Sequence, residues 1–174
     1  MYYCELWHYN KNHDRLGRFS SSQEAKLATW KEKETVGVDK RYSKIVSGFE
    51  KDSGKAKRKY EKTGKEKYKH KQRDYDTRAT FEKGMMAAEK QFIKNATYED
   101  MKKEKTKIAA GYTAMGAVYA ASNVTLAAVG IPFFVIPLPA AVSSVSSGIK
   151  RHNRIDSKRA DEIYRKAQRK NKSI

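Results

Sequence analysis

The sequence predicts an all-α fold of elongated helices with an apolar helical hairpin and little or no β-structure. Apolar residues recur at helical spacing in several segments, and helix-capping patterns precede some of them. No extended stretch alternates apolar and polar residues as strands do. With a mean hydropathy of −0.88 and 33% charged residues, we expect much of the chain to be solvated helix rather than a large core.

The first half of the chain is predicted to contain two short helices and one long one. Ser21 and Glu24 have the spacing of a capping box, so a first helix is expected after them and is expected to end near residues 36–38. A second short helix is expected around residues 42–49, with a stop at Gly48 or at residues 52–54. A long helix is expected over residues 55–95, with Gly64 and Gly84 weakening it. Its apolar face consists of Phe81, Met85, Ala88 and Phe92.

Two further helix starts are predicted in the second half. Residues 97–100, Thr-Tyr-Glu-Asp, form a capping pattern that opens a helix running into a charge-free window. Asp156 or Ser157 is expected to cap a last helix. Its apolar face consists of Ala160, Ile163 and Ala167.

Residues 108–149 contain no Asp, Glu, Lys or Arg, although the chain has 38 basic and 20 acidic residues and a formal charge of +18. Roughly 20 helical residues cross a hydrocarbon core of about 30 Å, so the window is long enough for a membrane hairpin. The apex is expected at residues 130–139, with a returning helix from about Ala140. The residues assigned to this hairpin are Ile108, Gly116, Leu126, Gly130, Pro132, Phe133, Phe134, Val135, Ile136, Pro137 and Pro139.

The same window has a second interpretation, in which its arms form the protein's own core or a homo-oligomer interface without any lipid. Its many Ser and Thr residues make it less hydrophobic than typical membrane spans. Small residues at four-residue spacing, such as Ala110 and Ala114, allow two helices to approach closely in either case. The composition of the window leaves both interpretations open.

Two segments contain most of the excess positive charge. Residues 51–78 have 12 basic and 5 acidic side chains, and residues 150–174 have 10 and 3. In the first, Tyr60, Tyr68 and Tyr75 lie 8 and 7 residues apart among the cations, which is suited to phosphate neutralisation and base stacking. One alternative is a solvated helix face with internal pairing, but the acidic residues are too few to pair with all the cations. The spacing of the tyrosines is equally compatible with a place in the core.

We therefore expect non-specific contact with a polyanion, either DNA or anionic lipid. The residues assigned to it are Lys55, Lys57, Arg58, Lys59, Lys65, Lys67, Lys69, Lys71, Arg73, Lys150, Arg151 and Arg154.

No catalytic, cofactor or metal site is expected. The sequence contains no Ser/His/Asp order, Gly-rich phosphate loop or His-Glu-x-x-His motif. Cys4, His8 and His13 lack the fourth ligand of a structural zinc site, and a single cysteine forms no internal disulfide. The first residues lack the apolar region of a cleavable signal peptide.

Residues 7–14, Trp-His-Tyr-Asn-Lys-Asn-His-Asp, are followed by Gly-Arg-Phe-Ser-Ser at residues 17–21. This pattern resembles the N-terminal signature of certain tailed-bacteriophage structural and head-associated proteins, from which it departs at Arg15 and Leu16. The resemblance covers about residues 7–22 and implies a virion component that is located close to packaged DNA. Read as a docking arm for other virion proteins, the segment would contribute Trp7, His8, Tyr9 and Phe19.

The sequence thus divides into a docking arm (1–22), a charged helical region (23–107), an apolar hairpin (108–149) and a basic C-terminal helix (150–174). The leading hypothesis is a phage virion protein of the head, neck or tail whose hairpin engages the host membrane during genome delivery. The second is a basic structural protein that binds DNA or the portal and buries its hairpin in a homo-oligomer. The third is a holin-like pore-forming membrane protein.

Overall fold

A computed structural model describes residues 22–128 and 138–172, and side chains within 22–118 and 143–172. These residues form five helices and no strand, which confirms the predicted all-α fold class. The helices are α1 (Ser22–Thr63), α2 (Glu66–Asn95), α3 (Tyr98–Ala128), α4 (Leu138–Arg154) and α5 (Ser157–Lys172).

Helix α1 is a single helix of 42 residues, about 63 Å long at 1.5 Å per residue. The predicted stops at residues 36–38, at Gly48 and at residues 52–54 are therefore wrong. Val38, Tyr42, Val46 and Ala56 are buried on one face of α1. This tertiary burial outweighs the cost of about 1 kcal/mol that each helical glycine adds.

The chain turns at Gly64, so the predicted continuous helix over residues 55–95 is also wrong. Gly64 has a φ of 63°, in the left-handed region that glycine adopts without a Cβ clash. Its N–H donates to the carbonyl of Tyr60 over 2.7 Å. As a result, Tyr60 lies on α1, whereas Tyr68 and Tyr75 lie on α2.

Helices α1 and α2 pack antiparallel and form a long helical hairpin. Its register is fixed by Ser53 with Asp76, by Glu50 with Lys83 and by Asp39 with Lys90. The main core lies toward the open end of this hairpin, away from Gly64. It consists of Trp30, Val38, Tyr42, Met85, Ala88, Ile93, Ala96, Met101 and Ile155.

Helix α5 packs antiparallel along α2. The ring of Phe81 meets the ring of Tyr164 edge-on at 5.6 Å, and a Cβ placed on Gly84 would collide with Ile163 Cγ2. Both predicted apolar faces are confirmed, since Met85, Ala88 and Ala167 are buried while their neighbours on those faces are half-buried.

The predicted caps in the second half are present. The Thr97 hydroxyl and backbone N–H both donate to Asp100 Oδ2, at 2.7 and 2.9 Å, and the N–H of Asp100 donates to Thr97 Oγ1. Asp156 Oδ1 accepts from the N–H of Arg159 at the start of α5. The bonds to the N–H groups of Asp100 and Arg159 satisfy donors that the first helical turn leaves without intrahelical acceptors.

Helices α3 and α4 run antiparallel over the residues where both are described. Lys107 Nζ donates to Asn153 Oδ1, and a Cβ on Gly111 would lie 2.5 Å from Ile149 Cδ1. Helix α4 begins at Leu138, so Pro139 lies in its first turn rather than in the predicted apex. Proline is tolerated there because the first turn needs no N–H donor. The expected boundaries at 107/108 and 149/150 fall inside α3 and α4.

Candidate polyanion-binding surface

The end of the α1–α2 hairpin is strongly basic. We call residues 55–73 the basic tip; it comprises the end of α1, the turn at Gly64 and the start of α2. It contains 10 basic residues and 2 acidic ones, Glu61 and Glu66. Folding brings together cations that are up to 18 positions apart in the sequence.

Few of these cations are neutralised by the chain itself. Lys55 pairs with Asp52 at 2.9 Å, and among the described residues no other cation of the basic tip forms an ion pair. The exposed members are Lys55, Lys57, Arg58, Lys59, Lys62, Lys65, Lys67 and Lys71, while Lys69 and Arg73 are half-buried. An uncompensated set of this size produces a positive potential that attracts polyanions.

Two tyrosines hold lysines in place at the basic tip. Lys59 Nζ and Lys67 Nζ lie 5.9 and 5.2 Å from the centroid of the Tyr68 ring, and Lys69 Nζ lies 5.8 Å from that of Tyr60. Such cation–π contacts restrain the ammonium groups without cancelling their charge. Tyr60 and Tyr68 are half-buried between the cations, so they support the charged surface instead of presenting free faces for base stacking.

Helix α5 extends the basic surface along α2. It carries seven basic residues and two acidic ones, and all seven basic side chains are exposed. Asn171 Nδ2 donates to Thr80 Oγ1 over 3.2 Å, which places the last turn of α5 on the side of α2 that leads to the basic tip. That last turn contributes Arg169, Lys170 and Lys172.

Arg154 does not belong to this surface, and the prediction that it contacts a polyanion is wrong. Its side chain is 0% exposed, and its Nη2 donates to Glu34 at 2.6 Å and to Glu104 at 2.7 Å. Its Nη1 lies 3.6 Å from Glu89, and the guanidinium lies 5.7 Å from the Trp30 ring centroid. Arg154 is enclosed because α1, α2 and α3 each direct a carboxylate toward the end of α4.

Lys150 and Arg151 also form ion pairs within the chain. Lys150 Nζ lies 2.9 Å from Glu34, and Arg151 Nη2 lies 3.3 Å from Glu82. Their side chains are 27% and 36% exposed. The structure therefore separates these cations of α4 from the basic tip, and the polyanion prediction is strongest for residues 55–73.

We call Glu34, Glu89, Glu104 and Arg154 the ionic hub. Burial alone would raise the pKa of Glu34, but hydrogen bonds from Arg154 and Lys150 outweigh burial and lower it. For Glu104 burial prevails and raises the pKa despite the bond from Arg154. Burial alone would lower the pKa of the Arg154 guanidinium, but the hydrogen bonds that it donates to Glu34 and Glu104 outweigh burial and raise it.

Sequence reasoning missed all three carboxylates of this hub, and Glu89 is the most deeply buried of them. It is 0% exposed and accepts hydrogen bonds from Tyr42 Oη and Arg41 Nη2, both at 2.5 Å. Burial and the bond to Glu89 raise the pKa of the Tyr42 hydroxyl above its usual range. The available signal was that Glu89 lies between Met85 and Phe92 on the apolar stripe of α2.

The charge-free part of α3 presents apolar side chains to solvent. Val118 is 66% exposed and Tyr112 is 36% exposed. Ile108 is half-buried and Gly116 is exposed. Within the described residues, no helix is both long and apolar enough to cross a membrane.

Several predicted site residues lie outside what the structure describes. The docking-arm residues Trp7, His8, Tyr9 and Phe19 precede the first described residue, as do Cys4 and His13, whereas residue 22, the end of the predicted arm, lies in α1. The side chains of Leu126 and Pro139 are not described. The predicted apex residues Gly130, Pro132, Phe133, Phe134, Val135, Ile136 and Pro137 fall in the gap between α3 and α4.

The fold and surface define an all-α protein whose α1–α2 hairpin ends in a basic tip. Comparisons with protein-family models, with curated proteins and with solved structures give no match for this chain.

Proposed function

We propose that this protein is a non-enzymatic bacteriophage structural protein that binds DNA through its basic tip. The observation that carries the proposal is the uncompensated charge of residues 55–73. These residues, on two adjoining helices, include ten cations and only two carboxylates. The resemblance of residues 7–22 to phage head-associated proteins supports a virion as the place where DNA is met.

The geometry suits contact with the phosphate backbone. Duplex DNA carries one negative charge per about 1.7 Å of its axis, and binding cations release its counterions. Flexible lysines dominate the basic tip, and they neutralise phosphates without reading base edges. We therefore expect affinity without sequence preference.

The test is fluorescence anisotropy of a labelled duplex with the full chain, at salt concentrations from about 50 to 200 mM. Wild-type protein should bind, with affinity falling steeply as salt rises. Lys62→Gln/Lys65→Gln at the turn should reduce the slope of log K against log salt by about 2, since each lost phosphate contact removes roughly one unit.

The matched control is Lys103→Gln/Lys105→Gln, which removes the same charge from exposed positions of α3. It should leave the slope near the wild-type value. Equal effects of the two double variants would show that net charge, not the basic tip, governs binding. Failure of the wild-type chain to bind DNA at the lowest salt would overturn the proposal.

A second candidate function is contact of the α3–α4 hairpin with the host membrane during genome delivery. The observation that favours it is the exposure of Val118 and Tyr112 on a helix segment without charged residues. A helix segment without charged residues can be covered by lipid or by another protein without burial of an unpaired charge. The same surface would serve a homo-oligomer, and a holin-like pore would need the membrane contact as well.

Vesicle flotation and sedimentation velocity separate these alternatives. Val118→Asp should abolish binding to anionic vesicles, whereas Val36→Asp, at a valine of α1 that is 63% exposed, should leave it intact. The alternative outcome is that wild-type protein does not bind vesicles and Val118→Asp converts an oligomer to a monomer. That result would assign α3 and α4 to an interface between copies of the protein.

A further inference from the structure

We infer that the basic tip contains a phosphate-binding cleft between α1 and α2, formed for one phosphodiester group of the DNA backbone. The inference rests on the proposed function and extends it from a charged surface to a particular site. The cleft has a volume of about 230 Å³. It is lined by Lys57, Tyr60, Glu61, Lys69, Gln72 and Arg73.

Three cations from two helices converge on this cleft. Lys57 comes from α1, whereas Lys69 and Arg73 come from α2, and Glu61 is the one carboxylate in the lining. The lining therefore has three positive charges and one negative charge, which leaves a net charge of +2. A water molecule occupies about 30 Å³ of the liquid, so the cleft has room for a hydrated phosphate group.

Arg73 lacks an acceptor that the ligand would supply. Its Nε is shielded from solvent and has no hydrogen-bond partner among the described residues. A buried N–H without an acceptor is costly, and the guanidinium fork matches the geometry of phosphate oxygens. A phosphate oxygen in the cleft would accept from the Arg73 guanidinium that lines it, and rotation of the side chain would give the shielded Nε–H its missing acceptor.

The other two cations in the lining are Lys57 and Lys69. Lys69 Nζ lies 5.8 Å from the Tyr60 ring centroid, so the tyrosine that lines the cleft also restrains one of its ammonium groups. Lys57 lines the cleft and is exposed, so its flexible side chain can reach a second oxygen of the same phosphate. Three cations around one small cleft favour a single phosphodiester anion, whose two unesterified oxygens can each accept a hydrogen bond.

The experiment compares Arg73→Gln with Arg58→Gln in the duplex-binding assay. Both changes remove one arginine charge from the basic tip, but Arg58 is exposed and does not line the cleft. Arg73→Gln should weaken binding by about tenfold or more, as expected for loss of a charged hydrogen bond, and Arg58→Gln by less than about threefold. Circular dichroism and melting temperature establish that both variants are folded.

Lys57→Gln provides a second test that does not depend on a half-buried residue, and it should resemble Arg73→Gln. Millimolar inorganic pyrophosphate should compete with the duplex for wild-type protein and fail to compete for the residual binding of Arg73→Gln. Equal losses for Arg73→Gln and Arg58→Gln would overturn the cleft while leaving DNA binding by the basic tip intact. Absence of duplex binding by wild-type protein, with binding to anionic vesicles that Arg73→Gln abolishes, would overturn the proposed function and assign the cleft to a lipid headgroup.

Discussion

Arg154 and Glu104 form an ion pair that is closed off from solvent. Nη2 of Arg154 donates to Oε1 of Glu104 over 2.7 Å, and the two side chains are 0% and 2% exposed. The same nitrogen donates to Glu34 over 2.6 Å. Since these partners belong to α3 and α1, one guanidinium at the end of α4 joins three helices.

Replacement of Arg154 by methionine is expected to lower the free energy of unfolding by about 3–5 kcal/mol, because it leaves buried carboxylates without their cation. Urea denaturation followed by circular dichroism measures the loss. Arg165→Met, at an exposed position of α5, serves as control and should change stability by less than about 0.5 kcal/mol. Equal stabilities for the two variants would contradict the assigned role of the hub.

Glu34 and Glu104 should respond to pH in opposite directions. The lowered pKa of Glu34 means that its contribution to stability is present above the ordinary carboxyl range and is lost as pH falls through its folded pKa. The raised pKa of Glu104 means the reverse, a contribution present at low pH and lost as pH rises.

We compare the free energy of unfolding of wild type with that of Glu34→Gln. This difference should be largest near pH 7 and should shrink as the pH falls below about 4. Over the same decrease in pH, wild type should become more stable relative to Glu104→Gln. Urea denaturation at a series of pH values measures both differences. Parallel pH curves for the two variants would refute the assignment.

Thr97→Ala should destabilise the start of α3 by about 1 kcal/mol, the usual cost of a lost N-cap. Hydrogen bonds from the backbone and the side chain of Thr97 lower the pKa of Asp100, so the effect should diminish as pH falls and Asp100 is protonated. Chemical denaturation at neutral and acidic pH measures it. Thr106→Ala, at an exposed position within α3, is the control and should be neutral or slightly stabilising.

Two glycines in long helices should give changes of opposite sign when replaced by alanine. At Gly84 a Cβ would collide with the branched Cγ2 of Ile163, so Gly84→Ala should cost about 1–3 kcal/mol by overpacking α2 against α5. At Gly48 nothing lies within 4 Å of the added Cβ, so Gly48→Ala should stabilise α1 by about 0.5–1 kcal/mol. Thermal and urea unfolding measure both, and a stabilising Gly84→Ala would rule out the close α2–α5 approach.

Local sequence signals predicted the second half of the fold better than the first. The capping pattern at Thr97 and Asp100 and the face of Ala160, Ile163 and Ala167 depend on residues at most seven positions apart, so their spacing is sufficient. The continuity of α1 through Gly37, Gly48 and Gly54 could not be predicted in the same way. It depends on burial against α2, whose partner residues lie far along the chain.

The candidate site shows the same division. The excess of cations in residues 51–78 can be counted from the sequence. Their location at the end of a hairpin could not be predicted, because it depends on the turn of the chain at Gly64. Arg154 and Lys57 look equivalent in the sequence, since both lie in basic stretches. They differ only because three carboxylates of other helices surround the former.

The sequence by itself determined the helical class, the amount and segmental distribution of the charge, and the presence of a charge-free window. These follow from composition and from periodicity within single segments. Tertiary structure decided which cations remain available to a partner. Pairing of Arg154 with Glu34 and Glu104, which lie 120 and 50 positions away, is a long-range event that local patterns do not encode. The same folding that removes Arg154 from solvent leaves the cations of the basic tip exposed, because few carboxylates reach that end of the hairpin.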